Sequence, residues 1–537
     1  MFGGCVWLCE CRSGAGWLVA AMLVSALAAA TARAAQNTEG AARQVQALIQ
    51  AGNLGAAREE VAGAIRANPK NASLYNLQGV VLVRQGDAVG AEKSFQKAIG
   101  FAPTYLAPYA NLARLYQTAT SHDASALDKA LDMYEQMLKI DPRNPDADYW
   151  AGRLLFQKGS FRSSFEHLAN LPPRDQASAP VLSIVCGDLA GQGESQQAAE
   201  AGDRLARSAD LAEADVLSLL PVLSKAENRP LRLKLLEVLA ARRLAGVDTL
   251  RALGLAYEQG GRFDSARSTL EKAAGLQPNS VSILVSLAEV ADRQHDYQGA
   301  LGYLGHARDL DPQNAGVHFF WGIVCIEQNL GMEAYQSLKK AVSLEPGNAY
   351  YNYALGAVAM QFASAAEAVT YFQKYCQLRP GDPRGRLALG TAYFGSHDDK
   401  KSRQMMADIA QFPETAAAAH YYLGRIASRA GDFDQAVREF ENALRDSPDY
   451  ADAYAELGLV HMRRSEYSQA EEALQRALKL NPESYTANLD LLMLYQRTKD
   501  ARLAGQSRRF EAVKEESARR TAENLRAVEV QPVYPAN

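Results

Sequence analysis

The sequence predicts an all-α fold, a solenoid of antiparallel helix pairs. Three observations predict it: a 34-residue period, a column of small residues, and a proline that closes most units. The segment from Tyr75 to Gly79 returns as Tyr454 to Gly458, and Ala91 to Phe95 returns as Ala436 to Phe440, each pair at one offset in the frame. Self-similarity at such a period marks an architecture in which each unit buries its apolar face only against its neighbours. Units begin at residues 38, 72 and 106. A five-residue insertion near 121–125 resets the frame, and units then begin at 145, 179, 213, 247, 281, 315, 349, 383, 417, 451 and 485.

Position 20 of the unit is Ala or Ser in thirteen of fourteen units, with Arg232 as the departure. Position 8 is mostly Gly or Ala, as in Gly79, Gly322, Gly424 and Gly458. Apolar or small residues at positions 4, 7, 8 and 11 share one face of a first helix, A. Those at 20, 24, 27 and 28 share one face of a second helix, B. Small residues at 8 and 20 let the two backbones approach closely. Glycine near position 15, as in Gly86 and Gly431, supplies the turn between A and B. Proline at position 32, as in Pro69, Pro142, Pro312 and Pro448, cannot continue helix B and stops it. Asp141, Asp311 and Asn481 precede that proline and suit a turn.

These columns resemble the tetratricopeptide repeat, whose unit is also 34 residues. The unit at 417 matches it with Leu423, Gly424, Ala436, Phe440, Ala443 and Pro448. The unit at 72 matches with Tyr75, Leu77, Gly79, Ala91, Phe95, Ala98 and Pro103. The resemblance covers residues 38–518 and implies a right-handed superhelical solenoid that binds another protein or peptide. In that family helix A lines the inner surface, which implies that positions 2, 5, 9 and 12 point into a groove. Some members hold a carboxyl terminus with Lys at position 5 and Asn at position 9. Here those positions read Asn76 and Val80, Ala110 and Arg114, Tyr421 and Arg425, so that mode is not supported.

The units divide into segments. Residues 1–34 read as a signal peptide and 35–144 as the amino-terminal repeats. Residues 145–246 keep the phase but lose most identities, with Pro221 and Pro230 falling around the expected first helix of the last unit. This stretch is a kinked continuation of the solenoid or a separate helical domain. Residues 247–484 are the carboxy-terminal array. Residues 485–517 are a cap, turning polar at Arg508 and Arg509, and 518–537 a frayed helix and flexible tail.

The amino terminus reads as an export signal. Arg12 precedes an apolar run from Trp17 to Ala30, and Ala32-Arg33-Ala34 places small residues where a signal peptidase inspects. The run is short for a membrane span, which needs about 20 residues. An exported, periplasmic or secreted location follows, with no transmembrane segment after cleavage. Cys186, Cys325 and Cys376 then remain, too far apart and too few for a disulfide framework or a zinc site.

Composition excludes some classes. With 57 Lys and Arg against 61 Asp and Glu, there is no basic footprint for nucleic acid. The sequence contains no metalloprotease, nucleophile-elbow, phosphate-loop or paired Cys-x-x-Cys motif. No catalytic residue, metal or cofactor is expected. His318, His420 and His461 occupy packing positions on helix A, and His397-Asp398-Asp399 lie in one turn. An enzyme built on those turn residues is the alternative of another class.

Binding is the positive reading. In the middle units the expected inner positions are aromatic or apolar: Phe319, Ile323, Ile326, Tyr350, Tyr353, Met360, Leu387, Phe394 and Tyr421. Tyr and Phe offer large contact area with little rotamer entropy to lose. Beyond them Arg425, Arg429 and Arg463 turn the groove basic. The expectation is an extended or helical peptide with apolar anchors and an acidic end. The same side chains suit packing within the superhelix equally well. A periplasmic accessory subunit of polysaccharide export or outer-membrane assembly is a more specific form of the scaffold reading. Exposed helix faces at the array ends also suit self-association. Export predicts a mature chain that begins at Ala35. Amino-terminal sequencing of protein from the native envelope checks this, and an intact Met1 sinks it.

Overall fold

The computed structural model describes residues 39–118 and 125–527. The signal segment, most of the insertion and residues 528–537 lie outside the described residues. Among the described residues the chain is helical and contains no strand. Contacts gather it into two compact units, one ending at Ala245 and the other starting at Gly246.

In the first unit, helices Ala72–Arg84 and Ala88–Phe101 form one antiparallel pair, and Leu106–Thr118 and Ala126–Ile140 the next. In the second unit the pairs run from Val247–Gln259 with Phe263–Leu276 to Ala451–Arg463 with Tyr467–Leu480. Helix A starts at the first residue of the frame at 72, 106, 145, 179, 247, 281, 315, 349, 383, 451 and 485. The 34-residue period is therefore the helix-pair period.

The small columns have a concrete task. Ala91, Ala300, Ala334, Ala436 and Ala470 at position 20 are fully buried. Position 8 makes room for the large side chain at position 24. A Cβ added to Gly79 would lie 2.4 Å from the Phe95 ring, one on Gly424 2.7 Å from Phe440, and one on Gly322 2.7 Å from Leu338. At Gly322 and Gly458 the carbonyl of residue 20 stands 3.3 and 3.2 Å away as well. Each of these pairs thus buries one large side chain against bare backbone, worth roughly 1.5–3 kcal/mol for a Leu or Phe.

The ends of the pairs are hydrogen-bonded in a recurring way. Asn71, Asn144, Asn314 and Asn348 cap helix A through their side-chain oxygens. Asp141 and Asp311 accept from the amides of Asn144 and Asn314 and hold those caps. Position 4 donates to the carbonyl of the preceding unit's proline. Tyr75 reaches Pro69 at 3.1 Å, Tyr109 reaches Pro103 at 3.0 Å, and Asn352 reaches Pro346 at 3.1 Å. His318 does the same with Nε2 to Pro312 at 3.1 Å. The turn after helix A needs a left-handed residue. Gly86 and Gly431 supply it at φ of 83° and 80°, but His295, Asn329, His397 and Ser465 adopt positive φ at the same place.

The frame bends where the motif weakens. The unit at 213 has no intact helix A: Glu213–Leu217 stops, two 3-10 turns follow around Pro221, and helix Arg229–Ala241 stands alone. Pro230 sits in the first turn of that helix, where proline is tolerated. Arg232 at its position 20 buries Nε without a hydrogen bond. In the unit at 145, Ser164 replaces the column alanine and its hydroxyl donates to Asp188 at 2.7 Å. Burial pushes the Asp188 carboxyl up to about 8, so it is neutral at pH 7 and the helices pack without a bare charge. Pro413, shifted from its column, instead opens an 18-residue helix A, Pro413–Ala430.

One expected packing position fails. Ala504 is exposed, because helix B of the last pair starts at Leu503, after Arg502 binds Asp500. The buried contacts slip by two, to Gln506 and Phe510. Gln506 donates to the Asn488 carbonyl at 3.0 Å. The helix then continues to Ala527, beyond where the sequence suggested a cap would end.

The glycines separate cleanly. Gly322→Ala is expected to destabilise the second unit by about 1–3 kcal/mol through overpacking against Leu338. Gly302→Ala, in a helix B interior with nothing within 4 Å of the added Cβ, is expected to stabilise it by up to about 1 kcal/mol. Urea denaturation of both variants checks the pair, and equal effects would refute the packing assignment.

Candidate functional site

The helix A columns of units 315 to 451 fall into two groups. The first faces water. Tyr350 is 61% exposed, with the Arg379 guanidinium 5.3 Å from its ring. Tyr353 is 37% exposed, set edge-on to Phe372 and 5.0 Å from Tyr375. Ile326 is 38% exposed. Ile323, Met360 and Leu387 are half-buried, and Phe319 lies half-buried with its ring stacked on Tyr351 at 4.6 Å.

The second group is packed within the solenoid. Tyr421 is buried among Phe440, Tyr422 and Tyr450, and desolvation raises its phenol above the usual range. Phe394 is buried between two guanidinium groups, Arg429 at 3.9 Å and Arg425 at 4.7 Å from its ring centre. For these two aromatics the packing alternative is what the structure displays.

Two of the three arginines expected to turn the groove basic are ion-paired within the molecule. Arg425 Nε bonds Glu456 at 3.1 Å. Arg429 bonds Asp399 at 2.7 Å and the Phe394 carbonyl at 3.4 Å. Arg463 donates to Ser428 at 3.4 Å and acts on the charges of Glu456 and Asp490. Glu456 and Asp490, at position 6 of successive units, are the residues that sequence reasoning missed. The signal was there as acids one unit downstream of the arginines, but only side-chain direction links the columns.

The turn residues have structural employment. Asp398 caps the next helix through Lys401, and Asp399 holds Arg429. His420 pairs with Glu439 and His461 with Glu466, both at 2.7 Å. No group of three or more His, Cys, Asp or Glu side chains suited to a metal occurs among the described residues. No helix among them is long and apolar enough to cross a membrane.

Comparison with known families bears on the repeat itself. Tetratricopeptide repeat models match residues 42–105, 251–315, 326–383, 421–485 and 456–507, and a second model of the same description matches 121–185. The chain belongs to the tetratricopeptide repeat family. No curated protein matches it. Among solved tetratricopeptide and other structures, it is similar to the Cut9–Hcn1 hetero-tetramer of the APC/C, with 14% identity over 85% of this chain and 90% of that one, and a TM-score of 0.35. Yeast Tom70 aligns at 16% identity over 85% and 94%, with a TM-score of 0.37. PilF of Pseudomonas aeruginosa aligns at 28% identity over 38% and 92%, with a TM-score of 0.32. The repeat assignment rests on the family models and the helix-pair period, not on these alignments.

The tetratricopeptide array carries a half-buried acid near its end. Burial pushes the Asp490 carboxyl up to about 6, Glu456 adds to the shift, and Arg463 opposes it. The unfolded carboxyl titrates near 4. Between about pH 4 and 6 the folded chain therefore binds more protons than the unfolded chain, so stability falls as pH rises through that window. Asp490→Asn is expected to flatten that slope and to raise the urea midpoint at about pH 7. An unchanged pH profile in the variant would contradict the assignment.

Proposed function

We propose that this chain is a non-enzymatic scaffold that receives a segment of a partner protein along the helix A columns of units 315 to 451. Membership of the tetratricopeptide repeat family supports a protein partner. The observation that carries the finer reading is the exposure of Ile326, Tyr350 and Tyr353 in a stretch whose neighbouring positions are buried. Single exposed apolar residues are ordinary, but these three lie on the helix A segments of two adjacent units, where a bound segment would cover them together. Tyr350 and Tyr353 also carry hydroxyls, so they tolerate water before a partner arrives and can hydrogen-bond one afterwards.

Export completes the proposal. Arg12, the apolar run from Trp17 to Ala30 and the Ala32-Arg33-Ala34 site support it, and an exported chain would meet a periplasmic or secreted partner. An accessory role in polysaccharide export or outer-membrane assembly is one setting for such a scaffold.

Crosslinking and pull-down from the native envelope tests the groove. Ile326→Ala with Tyr350→Ala and Tyr353→Ala is expected to lose the partner at least tenfold in affinity, a cost of about 1.4 kcal/mol or more, while keeping the wild-type melting curve. Phe394→Ala or Tyr421→Ala is a poor probe, since truncating a buried aromatic costs about 3–5 kcal/mol of stability. A folded triple variant that retains every partner would overturn the groove reading.

A further inference from the structure

Asp188 lies in helix Ala179–Gln192 of the first unit, and its side chain is fully buried. One carboxyl oxygen accepts from the Ser164 hydroxyl at 2.7 Å, and Ser164, in helix Phe161–Ala169, is fully buried too. The other oxygen has no hydrogen-bond partner. A buried carboxylate is held by a cation or by several donors, because water no longer carries its charge. Asp188 has one hydroxyl.

The helices packed against Ala179–Gln192 bring charges of their own, and none acts on this carboxyl. Asp148 holds His167 at 2.9 Å, Arg162 holds Glu166 at 3.4 Å, and Asp203 is bonded to Lys234. Arg153 stands over the Trp150 ring, and Asp215 accepts from the Ala212 amide. Glu213 is half-buried at the head of its own short helix. Asp146, Arg174, Asp175, Glu200, Arg204 and Arg207 are exposed to water. An ionised Asp188 therefore meets one hydroxyl and no cation.

We propose that the Ser164–Asp188 contact is a proton-held joint between helices Phe161–Ala169 and Ala179–Gln192, closed while Asp188 carries its proton and opened locally when the proton leaves. The proton passes to water, and the carboxylate left behind regains its hydration only if the helices part. Burial pushes the carboxyl up to about 8, against about 4 in an unfolded chain. Between those values the closed joint binds more protons than the open one. The joint therefore loosens as pH rises through that window, and the loss is complete above about pH 8. The opening stays local because the helix that carries Ser164 is only nine residues long and gives up few contacts when it moves.

The cysteines supply the test in the full chain. Cys186 is fully buried two residues before Asp188, and Cys325 is buried in the second unit. The chain is treated with excess iodoacetamide between pH 7 and 9, and labelling at each cysteine is followed by peptide mass spectrometry. The thiolate is the species that reacts, so rising pH speeds both sites alike and the ratio of Cys186 to Cys325 cancels that effect. The ratio is expected to rise about tenfold from pH 7 to 9, with most of the rise below pH 8. Asp188→Asn is expected to keep it flat. Ser164→Ala removes the one donor to the carboxylate, raises the pKa of the closed joint and is expected to carry the rise beyond tenfold. A flat ratio in the wild-type chain, or a rise that persists in Asp188→Asn, overturns the joint. Should Asp188→Asn fail to fold by circular dichroism, Ser164→Ala decides: a rise no larger than that of the wild type overturns the joint as well.

Discussion

Most of the helix pairs depend on one close approach. In most units residue 8 of helix A has no side chain, or only a methyl group, so that residue 24 of helix B can lie across it. Gly79 under Phe95 and Gly424 under Phe440 are the clearest cases, with an added Cβ at 2.4 and 2.7 Å. The buried alanines at position 20 bring the two backbones close enough for this to happen. If the contact is lost, the helix axes separate and the apolar faces of neighbouring units no longer meet. Because a solenoid has no central core, its stability is built from such local contacts repeated in series.

A second set of contacts joins one pair to the next. The position 4 side chain donates to the carbonyl of the preceding proline, and it does so as Tyr75, Tyr109, His318 or Asn352. In these units the position is defined by its donor and not by its size, while Leu250 and Leu284 hold it as plain packing residues. That explains why the column looks irregular as a sequence and regular as a structure. It also gives His318 a structural task. Where the frame weakens, polar atoms are buried with fewer partners: Asp188 is held neutral by burial, and Arg232 keeps a buried Nε without a hydrogen bond.

The candidate site shows where column reasoning stops. Counting positions places Phe394, Tyr421, Arg425 and Arg429 beside Tyr350 and Tyr353, as if one surface held them all. The side chains divide. Phe394 is clasped by two arginines, each held by a carboxylate from a neighbouring helix. Tyr350 and Tyr353 stay in water. The difference lies in Glu456 and Asp399, which reach Arg425 and Arg429 from other helices.

The sequence by itself determined the helix pair, its length and its close contact, because those depend on residues whose size and backbone constraints are local: glycine at 8, alanine at 20, proline at 32. It also located the columns in which a partner could be read. Tertiary structure decided which of those side chains are free. Ion pairing and aromatic stacking act between residues about one repeat apart, and their outcome depends on side-chain direction and desolvation, which a single column does not record. The slip of the last helix to Gln506 and Phe510 has the same origin: where Arg502 and Asp500 lengthen the turn, the contacts follow the helix and not the numbering.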